Sequence, residues 1–269
     1  MTTRAVVLAR GLGTRMRQDA PGATLDAAQT AAADVGLKAF IPIGRPFLDY
    51  ILSALADAGL TRICVVIGPE HDVVRRYYET DVALTRITVD FAIQAEPRGT
   101  ADAVLAAEAW TEGEPFLVVN SDNYYPVPVL SALAALTTPG LVAFSRQGLL
   151  ADGQIAPDRI QRFALLDLDG GRLQGIIEKP DQVDTARFAR GCYVSMNCWR
   201  FDSRVFEACR RVALSPRGEL ELPLAIQQAI DDGRFPVQAV LSDAGVLDLS
   251  GRADIAAVAA RLADVQVRL

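Results

Sequence analysis

Short β-branched runs alternate with helix-patterned segments through the first half of the chain, and this alternation narrows the fold more than any other property of the sequence. Arg4–Leu8 (RAVVL), Arg62–Ile67 (RICVVI) and residues 87–93 and 115–120 (PFLVVN) read as strands. Between them, residues 46–58 place Phe47, Tyr50, Ile51 and Leu55 at helical spacing and stop at Gly59, a residue suited to a left-handed cap. Residues 69–79 and 99–110 read as further helices. A β-α-β-α order of this kind predicts a mostly parallel sheet with helices on both faces. Ligands then gather at the carboxyl ends of the strands.

Beyond residues 141–145 the pattern changes. Residues 163–167 and 172–177 flank Asp169-Gly170-Gly171, a hairpin signal, and residues 192–201 are strand-like. Helices are expected near 203–213, 219–231 and 253–267. No Pro/Gly/Ser linker divides the chain, so a single domain over 1–269 is expected, a first part (1–145) and a second (146–269) built over its sheet. Residues 20–36 form an Ala-rich insertion with helical potential from 25 to 35, a candidate lid, partner contact or surface excursion. The hexapeptide periodicity of a β-helix is absent.

With 269 residues and 51% apolar composition, the chain can bury a full core without staples. A net charge of −6, with no run of Lys or Arg, excludes a nucleic-acid surface, which needs clustered positive charge. Cys64, Cys192, Cys198 and Cys209 form no C-x-x-C pair and read as thiols of a reducing compartment. No stretch approaches the ~18 apolar residues of a membrane span, and the residues before Arg4 carry no apolar signal region. A cytoplasmic protein without a membrane partner is expected, and a homo-oligomer is compatible with it.

Of the 27 lysines and arginines, only Lys38 and Lys179 are lysine. Arginine stands nearly everywhere else, yet its wide planar fork cannot replace a compact ammonium that must reach a phosphate in a crowded site. Both lysines are therefore candidate phosphate contacts. A second candidate is the turn Leu8-Ala9-Arg10-Gly11-Leu12-Gly13-Thr14-Arg15-Met16 that follows the first strand. Glycines there let backbone N–H groups approach phosphate oxygens, and Arg15 adds a charged clamp. The turn lacks the third glycine of a dinucleotide fingerprint, and the chain has no G-K-[ST].

With its flanks, this turn resembles the nucleotide-sugar pyrophosphorylases, the sugar-1-phosphate nucleotidyltransferases. Their L-A-G-G-x-G-T-R-[LM] is matched by residues 8–16, and their K-x-[ML]-[LI]-P-[VI]-x-x-[KR]-P-[LM] by the stretch from Lys38 to Leu48. Gln94-Ala95-Glu96-Pro97-Arg98-Gly99-Thr100-Ala101 is similar to the base-recognition segment Q-x-x-x-x-G-T-A, and VVNSDN at 118–123 to the strand that ends in G-D. Glu178-Lys179-Pro180, Gly218-Glu219 and VLDLSGRADI at 246–255 resemble three further family motifs in order.

The resemblance implies an α/β fold of the nucleotide-diphospho-sugar transferase type: a mixed, mostly parallel Rossmann-like sheet flanked by helices, with no β-helix extension. It implies Mg²⁺-dependent transfer of a nucleotidyl group from an NTP, UTP or dTTP first, to a sugar-1-phosphate. Asp122 and Asp248 would hold Mg²⁺. Arg15, with the amides near Gly11 and Gly13, would grip the β- and γ-phosphates that leave as pyrophosphate, Lys38 would meet the triphosphate, and Lys179 the phosphate of the incoming sugar. Leu8, Ala9, Arg10, Gly11, Gly13, Thr14, Gln94, Gly99 and Thr100 would line the nucleotide site, and Asn123, Glu178 and Asn197 the sugar site. The lone His71 is expected to cap or solvate a helix end. Three departures stand out: Arg10 for a glycine, Phe163-Ala164 for Tyr-Gly, and Ser195–Trp199 (SMNCW) for N-A-G-I-Y. Together with the insertion, they leave a second expectation, a catalytically silent nucleotide-binding protein of the same fold.

Overall fold

A computed structural model describes residues 1–152, 155–178 and 193–269. Among the described residues, nine strands form one mixed sheet in the spatial order 88–93, 62–67, 4–8, 116–120, 193–201, 140–145, 238–242, 172–177 and 165–169. The parallel part is the first half of the chain: β1 (Arg4–Leu8), β2 (Arg62–Ile67), β3 (Thr88–Ile93) and β4 (Phe116–Asn120). A two-residue strand β5 (Asn123–Tyr124) follows, then β6 (Gly140–Ser145), the hairpin β7 (Leu165–Asp169) and β8 (Arg172–Ile177), and β9 (Tyr193–Phe201). β9 runs antiparallel between β4 and β6, so strands of both chain halves share one sheet. β10 (Gln238–Ser242) pairs parallel with β6, and a second two-residue strand, β11 (Leu247–Asp248), pairs with β5.

Strand β1 is buried on both faces, and its alternation assigns its side chains to two cores. Ala5 and Val7 pack with Phe47, Leu48, Ile51, Leu52 and Leu55 of the helix Phe47–Asp57. Val6 and Leu8 face the opposite way, toward Ala101 and Val104 of the helix Thr100–Ala106 and toward Trp199 and Phe201 of β9. The sheet is therefore sandwiched by helices, as the strand–helix alternation requires.

Three helices differ from the periodicity. The segment 69–79 is α-helical only over Asp72–Arg76 and widens into a π turn at Tyr77–Asp81. That wider turn directs two successive ring hydroxyls to one carboxylate: Tyr77 (2.9 Å) and Tyr78 (2.8 Å) both donate to Asp49, as does Arg45 Nε (2.9 Å). The segment 99–110 is interrupted at Ala107, giving Thr100–Ala106 and Glu108–Thr111. The last helix is Ile255–Leu262, and the chain end then returns so that Thr85 N–H donates to the Leu269 carbonyl. The helix Val127–Ala134 and strand β10 carry no periodicity signal strong enough to announce them.

Asp49 is fully buried and depends on its three donors. Asp49→Ala leaves the buried Tyr78 hydroxyl without its acceptor and is expected to cost about 1–3 kcal/mol. Urea unfolding of the variant checks this, and a loss below about 1 kcal/mol would contradict it.

The insertion is a docked element. Its helix Ala27–Asp34 opens with a capping box between Asp26 and Gln29, and Gln29 Nε2 reaches the Pro42 carbonyl at 2.9 Å. Arg17 donates to the Val35 carbonyl, while Arg252 joins Asp34 to the Met16 carbonyl. No helix among the described residues is long and apolar enough to cross a membrane.

Candidate active site

Two ladders assemble the site at the carboxyl ends of the central strands. Leu8 of β1 and Asn120 of β4 are register partners, and Ser121 N–H donates to the Leu8 carbonyl, so the glycine turn and the 121–123 segment emerge side by side. β5 and β11 then pair Asn123 with Asp248, while Leu249 N–H donates to the Asp122 carbonyl at 2.8 Å. Asp122 and Asp248, far apart in sequence, become neighbours through a ladder of two residues per strand.

Two cavities open here. The first, about 310 Å³, is walled by Leu8, Ala9, Arg10, Gly11, Thr14, Lys38, Gln94, Gly99, Thr100 and Glu219, among others. The second, about 570 Å³, is walled by Arg15, Asn123, Arg159, Phe163, Glu178, Asn197, Arg217, Asp248 and neighbours. Asn120 and Asp122 belong to both walls, so Asp122 stands at the junction.

The glycine turn is held by the insertion. Gly13 has φ +60°, and a Cβ there would lie 2.1 Å from the Gly36 carbonyl oxygen. Gly11 faces open space, where a Cβ would meet nothing within 4 Å. Gly13→Ala is expected to destabilise the fold by more than about 1 kcal/mol. Gly11→Ala should fold as wild type does. Thermal melts separate the two, and a destabilised Gly11→Ala would contradict the assignment.

Arg10 does not adopt the strained left-handed conformation; the only described non-glycine residues at positive φ are Glu112 and Asn197. Its guanidinium lies against Gly68, whose added Cβ would sit 2.4 Å from Arg10 Nε. Its charge is met by Glu70 at 2.8 Å and by the Gln94 carbonyl at 3.3 Å. Arginine at this position is thus accommodated by glycine at 68 and neutralised by an acid at 70. Nearby, His71 stands at the N-cap position of the helix Asp72–Arg76 without a side-chain capping bond; its Nδ1 instead accepts from Gly68 N–H, and burial lowers its pKa.

Gln94 is buried, and its Nε2 donates to the Gly99 carbonyl (3.0 Å) and to Asp102 Oδ2 (2.8 Å). Both partners only accept, which fixes the amide orientation and leaves Oε1 as the group it offers elsewhere. Gly99, at φ +119°, lets the backbone pass 218–222; a Cβ would meet the Leu220 carbonyl at 2.4 Å. The Thr100 hydroxyl accepts from Leu222 N–H, so besides lining the cavity it caps the helix Leu222–Asp231.

At the junction, each carboxylate is paired with a cation. Lys38 Nζ lies 2.8 Å from Asp122 Oδ2. Asp248, almost fully buried, accepts from Asn123 Nδ2 (3.3 Å), from the Ser250 hydroxyl (3.0 and 3.1 Å) and from Arg159 Nη2. Burial and then the Asp122 charge raise the Asp248 pKa, and Arg159 opposes them. The donor set suits a hard cation: two carboxylates with amide and hydroxyl oxygens alongside, and no His or Cys. Among the described residues no cluster of three or more His, Cys, Asp or Glu forms an all-protein cage. Mg²⁺ fits such a site, since it uses one or two carboxylates and completes its shell with phosphates and water.

Asn197 sits at φ +56° where the resembled N-A-G-I-Y motif places glycine, and Asn is the side chain that best tolerates that conformation. Its Oδ1 faces Trp199 Nε1 at 3.4 Å. Arg15 is exposed and lines the second cavity, not the first. Lys179 and Cys192 lie outside the described residues. The sequence offers no signal for Arg159, which meets Asp248 and Asp254 only through tertiary contacts; Ser250 and Asp254 lie within the 246–255 motif, whose pattern assigns them no role.

The fold and the sequence have counterparts. A UDP-glucose pyrophosphorylase structure with bound UDP-glucose superposes with a TM-score of 0.75 at 17% identity, covering 99% of this chain and 100% of that one. The UTP–glucose-1-phosphate uridylyltransferase AglF of Haloferax volcanii is 27% identical over 91% of this chain and 90% of its own length. A glucose-1-phosphate thymidylyltransferase of Streptomyces antibioticus is 30% identical over 86% of this chain, which spans 58% of that relative. The profile of the nucleotidyl transferases matches residues 4–262, and the chain belongs to that family.

Proposed function

We propose that the chain transfers a nucleotidyl group from an NTP, UTP or dTTP before others, to a sugar-1-phosphate, with Mg²⁺ held by Asp122 and Asp248 and pyrophosphate released. One observation carries this: Asp122 stands where a nucleotide-sized cavity meets a second cavity whose wall includes Arg15, Arg159, Arg162 and Arg217. An NTP in the first cavity and a phosphorylated sugar in the second would meet there. Residues 1–145 supply the nucleotide side and 146–269 most of the acceptor side of a single domain.

The acceptor oxygen is already anionic, so in-line attack on the α-phosphorus needs no general base, and catalysis is positioning and charge neutralisation. When bound, Mg²⁺ would be held by Asp122 and Asp248 and would offset the charge that develops on the transferring phosphate. The amides of residues 9–13 and Lys38 orient the triphosphate. Arg15 and Lys179 serve the phosphates on the acceptor side, and Asn123, Glu178 and Asn197 the sugar. Gln94 Oε1 accepts a base N–H, which uracil and thymine supply at N3. The specificities named for the two relatives point to the same bases.

The silent reading loses its main motive, because the Arg10 charge is met by Glu70 and the Gln94 carbonyl. A cytoplasmic location accords with the absence of a membrane-crossing helix among the described residues. Pyrophosphate release measured across the NTPs and a panel of sugar-1-phosphates with Mg²⁺ tests the proposal. Release is expected with UTP or dTTP and a hexose-1-phosphate, and none with any pair would overturn it.

A further inference from the structure

Arg159 belongs to no motif in the sequence, yet it occupies the junction. It sits on the short helix Pro157–Ile160, and its side chain is only 19% exposed. Nη1 lies 2.6 Å from Asp254 Oδ1, and Nη2 contacts Asp248 Oδ2. Asp254 is itself fixed, because its Oδ2 accepts from the backbone N–H groups of Ser250 (3.0 Å) and Gly251 (2.8 Å). The guanidinium is therefore pinned at one nitrogen and presents the other to a carboxylate assigned to the metal.

We propose that Arg159 is a resident counter-cation of the metal site, holding Asp248 as Lys38 holds Asp122, so that Mg²⁺ enters efficiently only together with the phosphates that take over these two cations. This rests on the assignment of Mg²⁺ to Asp122 and Asp248. Among the described side chains that donate to Asp248, Asn123 and Ser250 are neutral and can stay beside a metal ligand. Arg159 carries a full positive charge against the same oxygen. A divalent cation arriving alone must displace or share with that guanidinium in a buried setting where charge repulsion is poorly screened. Arriving with a nucleotide, it brings anionic oxygens for Lys38 in the first cavity. A phosphorylated acceptor does the same for Arg159, which lines the second cavity with Asp248. Metal and substrate uptake are then coupled, each raising the affinity of the site for the other.

The sign of the effect separates this role from a structural one. A merely structural arginine, once removed, leaves Asp248 misplaced and weakens metal binding. A counter-cation, once removed, strengthens it. Mn²⁺ is titrated into nucleotide-free protein and the free ion followed by electron paramagnetic resonance, for wild type, Arg159→Gln, Arg159→Lys and the double variant Arg159→Gln/Asp248→Asn. Arg159→Gln is expected to bind Mn²⁺ about tenfold more tightly than wild type. Arg159→Lys, which keeps the charge, should match wild type, and the double variant should lose the gain. Unchanged or weaker binding by Arg159→Gln, or a gain by Arg159→Lys as large as that of Arg159→Gln, overturns the counter-cation. If wild-type pyrophosphate release is metal-dependent while the Arg159→Gln titration is unchanged, the metal assignment stands and this inference falls. A reaction that runs unchanged in a chelator overturns the metal assignment, and the counter-cation with it.

Discussion

Asp122→Asn is expected to lower turnover by at least about 10³-fold, because it removes the one carboxylate that, among the described residues, lines both cavities, and with it one of the two proposed to hold Mg²⁺. The substitution keeps the size and shape of the side chain. It also relieves the repulsion that Asp122 exerts on Asp248, so the fold should not suffer in proportion. Thermal melts close to wild type beside a collapsed kcat would place the effect in the chemistry. Asp248→Asn should follow the same direction. A variant at Asp122 that keeps a tenth or more of wild-type kcat would contradict the assignment.

Lys38→Arg should be nearly as damaging, about 10²-fold in kcat, although formal charge is unchanged. Lys38 is 17% exposed and places a single ammonium 2.8 Å from Asp122. A guanidinium in that space can engage the carboxylate with two parallel N–H groups, tying up the oxygens that the metal needs and standing where the triphosphate must approach. The loss should appear mainly in kcat at saturating NTP and Mg²⁺. Wild-type kcat in Lys38→Arg would remove the reason for reading the rarity of lysine as chemistry.

The parallel half of the fold was legible because its strands are short β-branched runs, and β1 and β2 match the expected limits. The hairpin was visible in its paired glycines, although β7 starts two residues later than its pattern and shifts register between Asp167 and Leu168. The π turn at Tyr77–Asp81 was not legible, because Asp49, on a different helix, sets it. Among the candidate site residues, the glycine turn, Lys38, Gln94 and the two aspartates stand out through their motifs, and they line the two cavities. The cause of their proximity was hidden, since a ladder of two residues per strand leaves no periodicity to read. Arg10 read as a defect because its compensating partners, Gly68 and Glu70, lie on another strand–helix connection. Arg159 was invisible for the same kind of reason: its meaning lies in two carboxylates from the chain's closing element.

The central claim is that the α-phosphoryl group of a nucleotide moves to a sugar phosphate at Asp122. UTP or dTTP labelled at the α-phosphorus, incubated with a hexose-1-phosphate and Mg²⁺, tests it most directly. The account predicts that the label appears in a sugar-linked nucleoside diphosphate while unlabelled pyrophosphate is released in equal amount, and that Asp122→Asn abolishes both. Label remaining in the triphosphate, or passing to free nucleoside mono- or diphosphate whether or not the sugar phosphate is present, would contradict it.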